Sequence, residues 1–202
     1  MKKPPILMKF AYPIFISCLL QGCITTVATS GAQAAYQHKS IQDTLQNQYI
    51  TTQVDREIHW KTDKYQTSRV AVSTFNNIVI LTGQVPSQKL HDDLVRIAKQ
   101  VPDVSEVYNL TTVNSPASTL TQLSDSWITT KIKTQLIAAN EIDPDQIKVI
   151  TENGTVILIG TVYPDQADIA TDIARSTDGA QHVIRIFSYL HLSKSPVHSA
   201  LG

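Results

Sequence analysis

Cysteine is almost absent from this chain: of 202 residues two are cysteine, Cys18 and Cys23. Both lie near the start, so nothing after residue 23 can form a disulfide, a cysteine metal site or a thiol nucleophile. Glycine is scarce as well, with seven residues. Gly83 and Gly160 are each expected to end a strand, and neither is followed by the glycine-rich loop that cradles phosphate. The six histidines, His38, His59, His91, His182, His191 and His198, never recur at metal-ligand spacing. Asp92-Asp93 reads as a solvated helix face, with no second carboxylate to complete an acid/base pair. An enzyme, a metal and a cofactor are therefore not expected. Long apolar runs are missing too. The longest, over residues 10–20, falls short of the ~20 residues that cross a bilayer. Charge of one sign is also missing: there are 17 basic and 17 acidic residues. Three of the basic ones, Lys2, Lys3 and Lys9, precede Cys23, so the remainder carries 14 against 17, a net of −3. Such a chain is no general polyanion binder, so nucleic acid is not an expected partner. Affinity for an anionic surface has to come from a local patch. With 42% apolar and 17% charged residues, the composition is that of a globular chain.

What is present begins with the leader. Three lysines, an apolar run and the small residue Gly22 make a secretory signal peptide over residues 1–22. Leu20-Gln21-Gly22-Cys23 resembles the bacterial lipobox. That resemblance implies cleavage before Cys23 and its modification by a thioether-linked diacylglycerol and an N-acyl chain such as palmitate. Each buried methylene contributes ~0.8 kcal/mol and one acyl chain alone holds weakly, so three chains would anchor the protein stably. Residues 24–48, rich in Thr, Ala, Ser and Gln with little apolar periodicity, read as a flexible tether. Residues 193–202 read as a loose tail.

Between them the chain repeats itself. Ile50-Thr51-Thr52-Gln53-Val54 recurs as Ile128-Thr129-Thr130-Lys131-Ile132. The run from Val70 to Gly83 recurs from Ile147 to Gly160. Matched blocks keep nearly constant spacing, which marks two copies of one module, placed at 49–114 and 118–192. In each, apolar residues at i, i+4 and i+8 (Ile50, Val54, Ile58; Ile128, Ile132, Leu136) predict a first helix, the second copy's over about 125–140. Asn153-Gly154 between β-branched runs is a strong hairpin signal, because a type I′ turn needs positive φ at both positions; Asn76-Asn77 serves the first copy less ideally. Second helices are expected over 87–100 and 164–176, and closing strands over 104–113 and 182–192. The fold class is α+β. Each copy is α-β-β-α-β, a three-stranded mixed sheet covered on one face by two helices, with a right-handed crossover.

Leu19-Leu20-Gln21-Gly22-Cys23, Trp127-Ile128-Thr129-Thr130-Lys131 and Lys148-Val149-Ile150-Thr151-Glu152-Asn153-Gly154 resemble the dual BON-domain outer-membrane lipoproteins of Gram-negative bacteria. The resemblance implies two tandem BON domains and a lipid-anchored protein on the periplasmic face of the outer membrane. It implies binding to an anionic phospholipid membrane through the first helix of the second domain, gathering at the cell division site, and support of envelope integrity. Ile24 stands where an inner-membrane retention signal would place Asp, which fits outer-membrane sorting. The alternative is a protein-binding adaptor, an accessory factor for the outer-membrane assembly machinery.

The residues of that helix bear on the choice. At ~100° per residue, Ile128, Ile132, Gln135, Leu136 and Ala139 share an arc expected to face the sheet. Trp127, Thr130, Lys131, Thr134, Ile137 and Ala138 share the opposite arc, with Lys133 nearby, and Leu120 and Leu123 upstream extend its apolar character. Tryptophan favours a membrane interface, and each cation near an anionic surface contributes ~1 kcal/mol. These residues therefore form the candidate lipid-binding set. An exposed apolar pair suits a protein neighbour equally well, so packing of Trp127 on protein stays open. The matching face of the first copy, Tyr49, Gln53, Arg56, His59 and Trp60 with Asp55 and Glu57 on or beside it, opposes an anionic membrane and is assigned a packing or partner role.

Overall fold

The computed structural model describes residues 31–62 and 68–190. The leader, Cys23 and the tail lie outside the described residues. The first helix, α1 (Gly31–Lys61), begins well inside the segment expected to be a flexible tether. From Ala32 to Lys61 there is no proline or glycine, and alanine, glutamine and lysine sustain a helix without an apolar face to announce it. Its C-terminal half carries the buried stripe Ile50, Val54 and Ile58.

Strands β1 (Arg69–Phe75) and β2 (Ile78–Val85) form an antiparallel hairpin. Asn76 and Asn77 both have positive φ, 47° and 65°, so asparagine alone suffices for the type I′ turn. Helix α2 (Gln88–Ala98) starts at Ser87, whose hydroxyl accepts from the Leu90 N–H. Strands β3 (Glu106–Asn109) and β4 (Thr112–Val113) both run parallel to β2. The single closing strand expected here is thus interrupted. The Asn109 side-chain oxygen accepts from the Thr111 N–H and hydroxyl, and its amide donates to the His91 carbonyl, which bends the chain out of the ladder.

The second copy follows. Helix α3 (Thr119–Ala138) is capped by the Ser118 hydroxyl, which accepts from Thr121 N–H. It starts earlier than the apolar periodicity shows, because a cap and not a buried residue sets a helix N-terminus. A 3₁₀ turn (Pro144–Gln146) leads into β5 (Ile147–Glu152), and β6 (Thr155–Val162) pairs with it antiparallel. Helix α4 (Pro164–Ser176) crosses over to β7 (His182–Tyr189), parallel to β6. The sheet orders are β1-β2-β3, with β4 also on β2, and β5-β6-β7. Gly83 and Gly160 lie inside β2 and β6 and do not end them. A Cβ at Gly83 would land on the Arg69 carbonyl oxygen, and one at Gly160 on that of Gln146.

Each sheet buries one face under its helices. Val79, Leu81 and Val85 of β2 pack with Ile50, Val54, Ile58, Leu90 and Leu94. Val156, Leu158 and Val162 of β6 pack with Ile128, Ile132, Leu136, Ala167 and Ala170. Alternate residues point the other way, yet Ile80, Thr82 and Gln84 of β2 and Ile157 and Ile159 of β6 are buried as well. The contacts that cross between the copies arise on this helix-free side. Arg69 Nη1 lies 2.7 Å from Glu152 Oε1, the Gln84 amide donates to the same oxygen at 2.8 Å, Asn76 donates to the Thr161 hydroxyl, and Lys148 Nζ donates to the Thr74 carbonyl at 3.0 Å. The two helix-free faces therefore cover each other, and the helices form the outer layers.

One lock recurs in both copies. The buried Asp125 carboxylate accepts from the N–H groups of Asn153 and Gly154 at 2.8 and 2.9 Å, tying α3 to the β5–β6 turn. In the first copy the Asn47 side-chain oxygen accepts from Asn77 N–H at 3.2 Å. One turn further along each helix, Thr129 bonds Thr151 and Thr51 bonds Thr74, at 2.7 and 2.8 Å. Ile-Thr-Thr thus recurs because its isoleucine fills the core and its first threonine fixes helix to strand.

Hydrogen bonds to a charged group contribute ~1.5–3 kcal/mol, and stranding buried donors adds a desolvation cost. Asp125→Ala is therefore expected to lose about 3 kcal/mol or more in urea unfolding, Asp125→Asn less, and Asn47→Ala about 1 kcal/mol. An Asp125→Ala loss no larger than that of Asn47→Ala would remove the lock from the account. At the junction, burial first and the Lys133 charge second hold the Lys148 ammonium below the ordinary 10.5. The charged form is then the unfavourable one in the fold. Its cost is present at neutral pH and is relieved as pH climbs through the lowered value towards 10.5. Lys133→Gln should raise the Lys148 titration midpoint, read by NMR of its side-chain nitrogen; an unmoved midpoint would leave burial as the whole cause.

Candidate membrane-facing surface on the third helix

Ile128, Ile132 and Leu136 are buried beneath α3 as expected, and Asp125 joins them through its turn contact. Gln135, expected on the sheet-facing arc, is exposed instead. It stands at the arc's edge, where a long polar side chain turns to solvent. Ala139, the C-cap, is half-buried.

The opposite face carries four large apolar side chains open to solvent: Leu120 (76% exposed), Leu123 (67%), Trp127 (61%) and Ile137 (69%). The early start of α3 brings Leu120 and Leu123 onto the same helix as Trp127. At ~1.5 Å per residue the stripe is about 25 Å long. Thr130, Thr134 and Ala138 lie within it, all exposed. The hydroxyls beside and within it fold back on the helix. Ser126 donates to the Gln122 carbonyl, Thr130 to Ser126 and Thr134 to Thr130, at 2.9, 2.8 and 2.9 Å. The threonines thereby spend their protons on the backbone and turn methyl groups outward, so the face is less polar than its composition.

The two lysines are not equivalent. Lys131 Nζ sits over the Trp127 ring, 3.8 Å from its centroid, and donates to the Asp178 carbonyl at 2.8 Å. It is half-buried and pins one face of the indole by a cation–π contact. Sequence spacing gives no sign of this, because Asp178 belongs to the connection between α4 and β7. Lys133 is exposed on the flank that turns towards Lys148 and the domain junction, not in the stripe. Beyond that flank Arg69, Gln122, Asp125, Ser126, Thr129 and Thr151 line a polar cleft of about 320 Å³. Its charged groups are already engaged, Arg69 by Glu152 and Asp125 by the turn. Among the described residues no cluster of histidine, aspartate or glutamate is arranged to hold a metal, and the His91 ring bonds the Thr111 hydroxyl. No helix among the described residues is long and apolar enough to cross a membrane. Cys23, the expected lipidation site, lies outside them.

The profile of the BON domain family matches twice, at residues 46–115 and 124–189. The chain is 35% identical over 188 residues to the outer membrane lipoprotein DolP of Haemophilus influenzae, covering 91% of this chain and 97% of that one. It is 36% identical over 148 residues to a 21 kDa hemolysin of Actinobacillus pleuropneumoniae, covering 69% and 76% of the two chains. Osmotically-inducible protein Y of Escherichia coli is 32% identical over 124 residues, covering 60% and 62%. None of these names is that of an enzyme. With a matched BON domain in each repeat and near end-to-end overlap with a DolP, the chain belongs to the dual BON-domain DolP family of envelope proteins.

Proposed function

We propose that α3 is a membrane-binding element that lies flat on an anionic phospholipid surface while lipidated Cys23 holds the protein at the periplasmic face of the outer membrane. The observation that carries this reading is the line of Leu120, Leu123, Trp127 and Ile137 left exposed along a helix whose opposite face is fully buried. Burying what remains exposed of these four side chains contributes about 5 kcal/mol gross, and each cation near the headgroups adds ~1 kcal/mol. That is a weak, reversible contact on its own. A tether in the same membrane makes it intramolecular, where modest affinity is enough. The acyl chains then hold the protein and α3 sets its orientation. The net charge of −3 after Cys23 confines the attraction to the Lys131 and Lys133 side of the molecule. The name of the 35% identical relative, an outer membrane lipoprotein, supports the location, and a role in envelope integrity at the division site belongs to the same reading.

The test uses a soluble form starting after Cys23, floated with vesicles of phosphatidylcholine alone or mixed with phosphatidylglycerol. Binding is expected only to the mixed vesicles. Trp127→Glu should weaken it about a hundredfold, the effect of losing ~3 kcal/mol, without changing thermal stability, since the indole is mostly exposed. Equal binding by Trp127→Glu and the parent would end this reading. So would a photocrosslinker at position 127 that captures one discrete envelope protein and no lipid, which would establish the adaptor role instead.

A further inference from the structure

We propose that the exposed face of α1 in the first domain is the contact surface for a second copy of this chain, paired antiparallel about a two-fold axis. The face is formed by Leu45, Tyr49, Thr52, Arg56 and Trp60, with Gln53 at its margin. At ~100° per residue these positions fall within an arc of about 100°. Leu45, Tyr49 and Trp60 are 65%, 52% and 86% exposed. Among the described residues of the first domain none covers them, since Ile50, Val54 and Ile58 on the other side of the helix already fill the core.

A two-fold axis passing between Thr52 and Gln53 makes this face self-complementary. Leu45 then meets Trp60 of the second copy, an aliphatic chain against an indole. Tyr49 meets Arg56 of the second copy, a ring against a guanidinium. Arg56 is held ready for this by its hydrogen bond to the Gln53 side chain. At the axis itself Thr52 donates its hydroxyl to the Gln48 carbonyl at 2.9 Å and presents a methyl group, so the two helices can approach closely. A contact between identical patches closes on itself and stops at the dimer.

Charge selects the second copy over a membrane. The face carries no carboxylate, but Asp55 and Glu57 flank it, within 3.5 Å of His59 and 2.9 Å of Lys61 respectively. Together with Asp43 they leave the helix from residue 42 to 61 net negative, against the net positive α3. Anionic lipid repels such a surface, whereas the antiparallel register brings no two like charges together. The size also fits. Taking ~200 Å² for each large side chain, the exposed parts of Leu45, Tyr49 and Trp60 amount to about 400 Å² per copy. Adding Thr52, Gln53 and Arg56 brings the pair near the ~1,200 Å² at which specific interfaces begin. The dimer is therefore a weak one, favoured where copies are concentrated on one surface.

Sedimentation velocity of the full-length chain in detergent should show a concentration-dependent monomer–dimer equilibrium. Trp60→Glu and, separately, Leu45→Glu should each weaken it at least about tenfold, a hot-spot loss counted in both copies; Trp127→Glu should leave it unchanged. Thr52→Cys should give a covalent dimer on mild oxidation, far above the parent chain with its own cysteines and above Thr130→Cys on α3. Circular dichroism checks that each variant is folded, and having two independent glutamate variants keeps the test decisive if one is not. A monomer across the micromolar range overturns the proposal, as does a dimer that survives both glutamate variants or one that Trp127→Glu abolishes. Trp60 fluorescence that shifts blue on anionic vesicles while the chain stays monomeric would assign the face to lipid and overturn it equally.

Discussion

The contact on which the second domain depends is the one between the Asp125 carboxylate and the two N–H groups of the Asn153-Gly154 turn. A type I′ turn leaves its central amides without ladder partners, and buried amides must be satisfied. By supplying both acceptors from the second turn of α3, the fold fixes the helix against the hairpin in translation and rotation at once. The Thr129–Thr151 bond one turn later removes the remaining freedom. Rotation decides which side chains reach solvent. With Asp125 and Thr129 held inward, Ile128, Ile132 and Leu136 are committed to the core and Leu123, Trp127 and Ile137 to the outside. The first domain has the same arrangement with a neutral acceptor, Asn47, and a single longer bond.

The packing of the two sheets gives that rotation its consequence. Their helix-free faces bury Ile80, Ile157 and Ile159 between the domains, and a rim of polar contacts centred on Glu152 fixes their registry. A BON domain alone would expose that back face to water. Two copies in one chain cover each other and leave the helices as outer layers. Apolar residues on the outer faces of α1 and α3 are then surplus to folding, which makes them informative about what lies outside the molecule.

Much of this was legible from residue order, and the exceptions share a cause. The hairpins were visible because Asn-Gly and Asn-Asn answer a local demand for positive φ. The buried stripes were visible because they obey helical spacing. The start of α3 was not, since residues 119–124 bury no apolar side chain and their helix rests on the Ser118 cap. The N-terminal half of α1 stays hidden because its sequence has helix propensity without apolar periodicity. Gln135 turns to solvent although helical angle puts it on the buried arc, because angle alone cannot tell how a long amide at the edge of an arc will turn. The break between β3 and β4 depends on what Asn109 finds in α2, a tertiary matter. Gly83 and Gly160 have the look of strand ends in the sequence, but they sit within strands and let neighbouring backbone pass where a Cβ would not fit. The setting of Lys131 depends on the Asp178 carbonyl, remote in sequence.

That lysine refines how the α3 surface would meet a bilayer. An indole standing free presents two faces and an edge. Lys131 occupies one face of Trp127, and its bond to Asp178 keeps the ammonium beside the α4–β7 connection, away from the stripe's centre. What remains available is the other face of the ring together with Leu123 and Ile137. An ammonium group a few ångströms from a ring cannot follow it into hydrocarbon without losing hydration, so in the proposed membrane contact the pair would sit at the headgroup level, with the cation towards phosphate and the indole towards the first methylenes. The back-bonded threonines suit the same depth, because they show methyl groups outward without an unsatisfied proton. A helix built for the bilayer interior would lack the lysine, and one built for water would lack the stripe. The combination fits a surface that is apolar on one side of a few ångströms and anionic on the other.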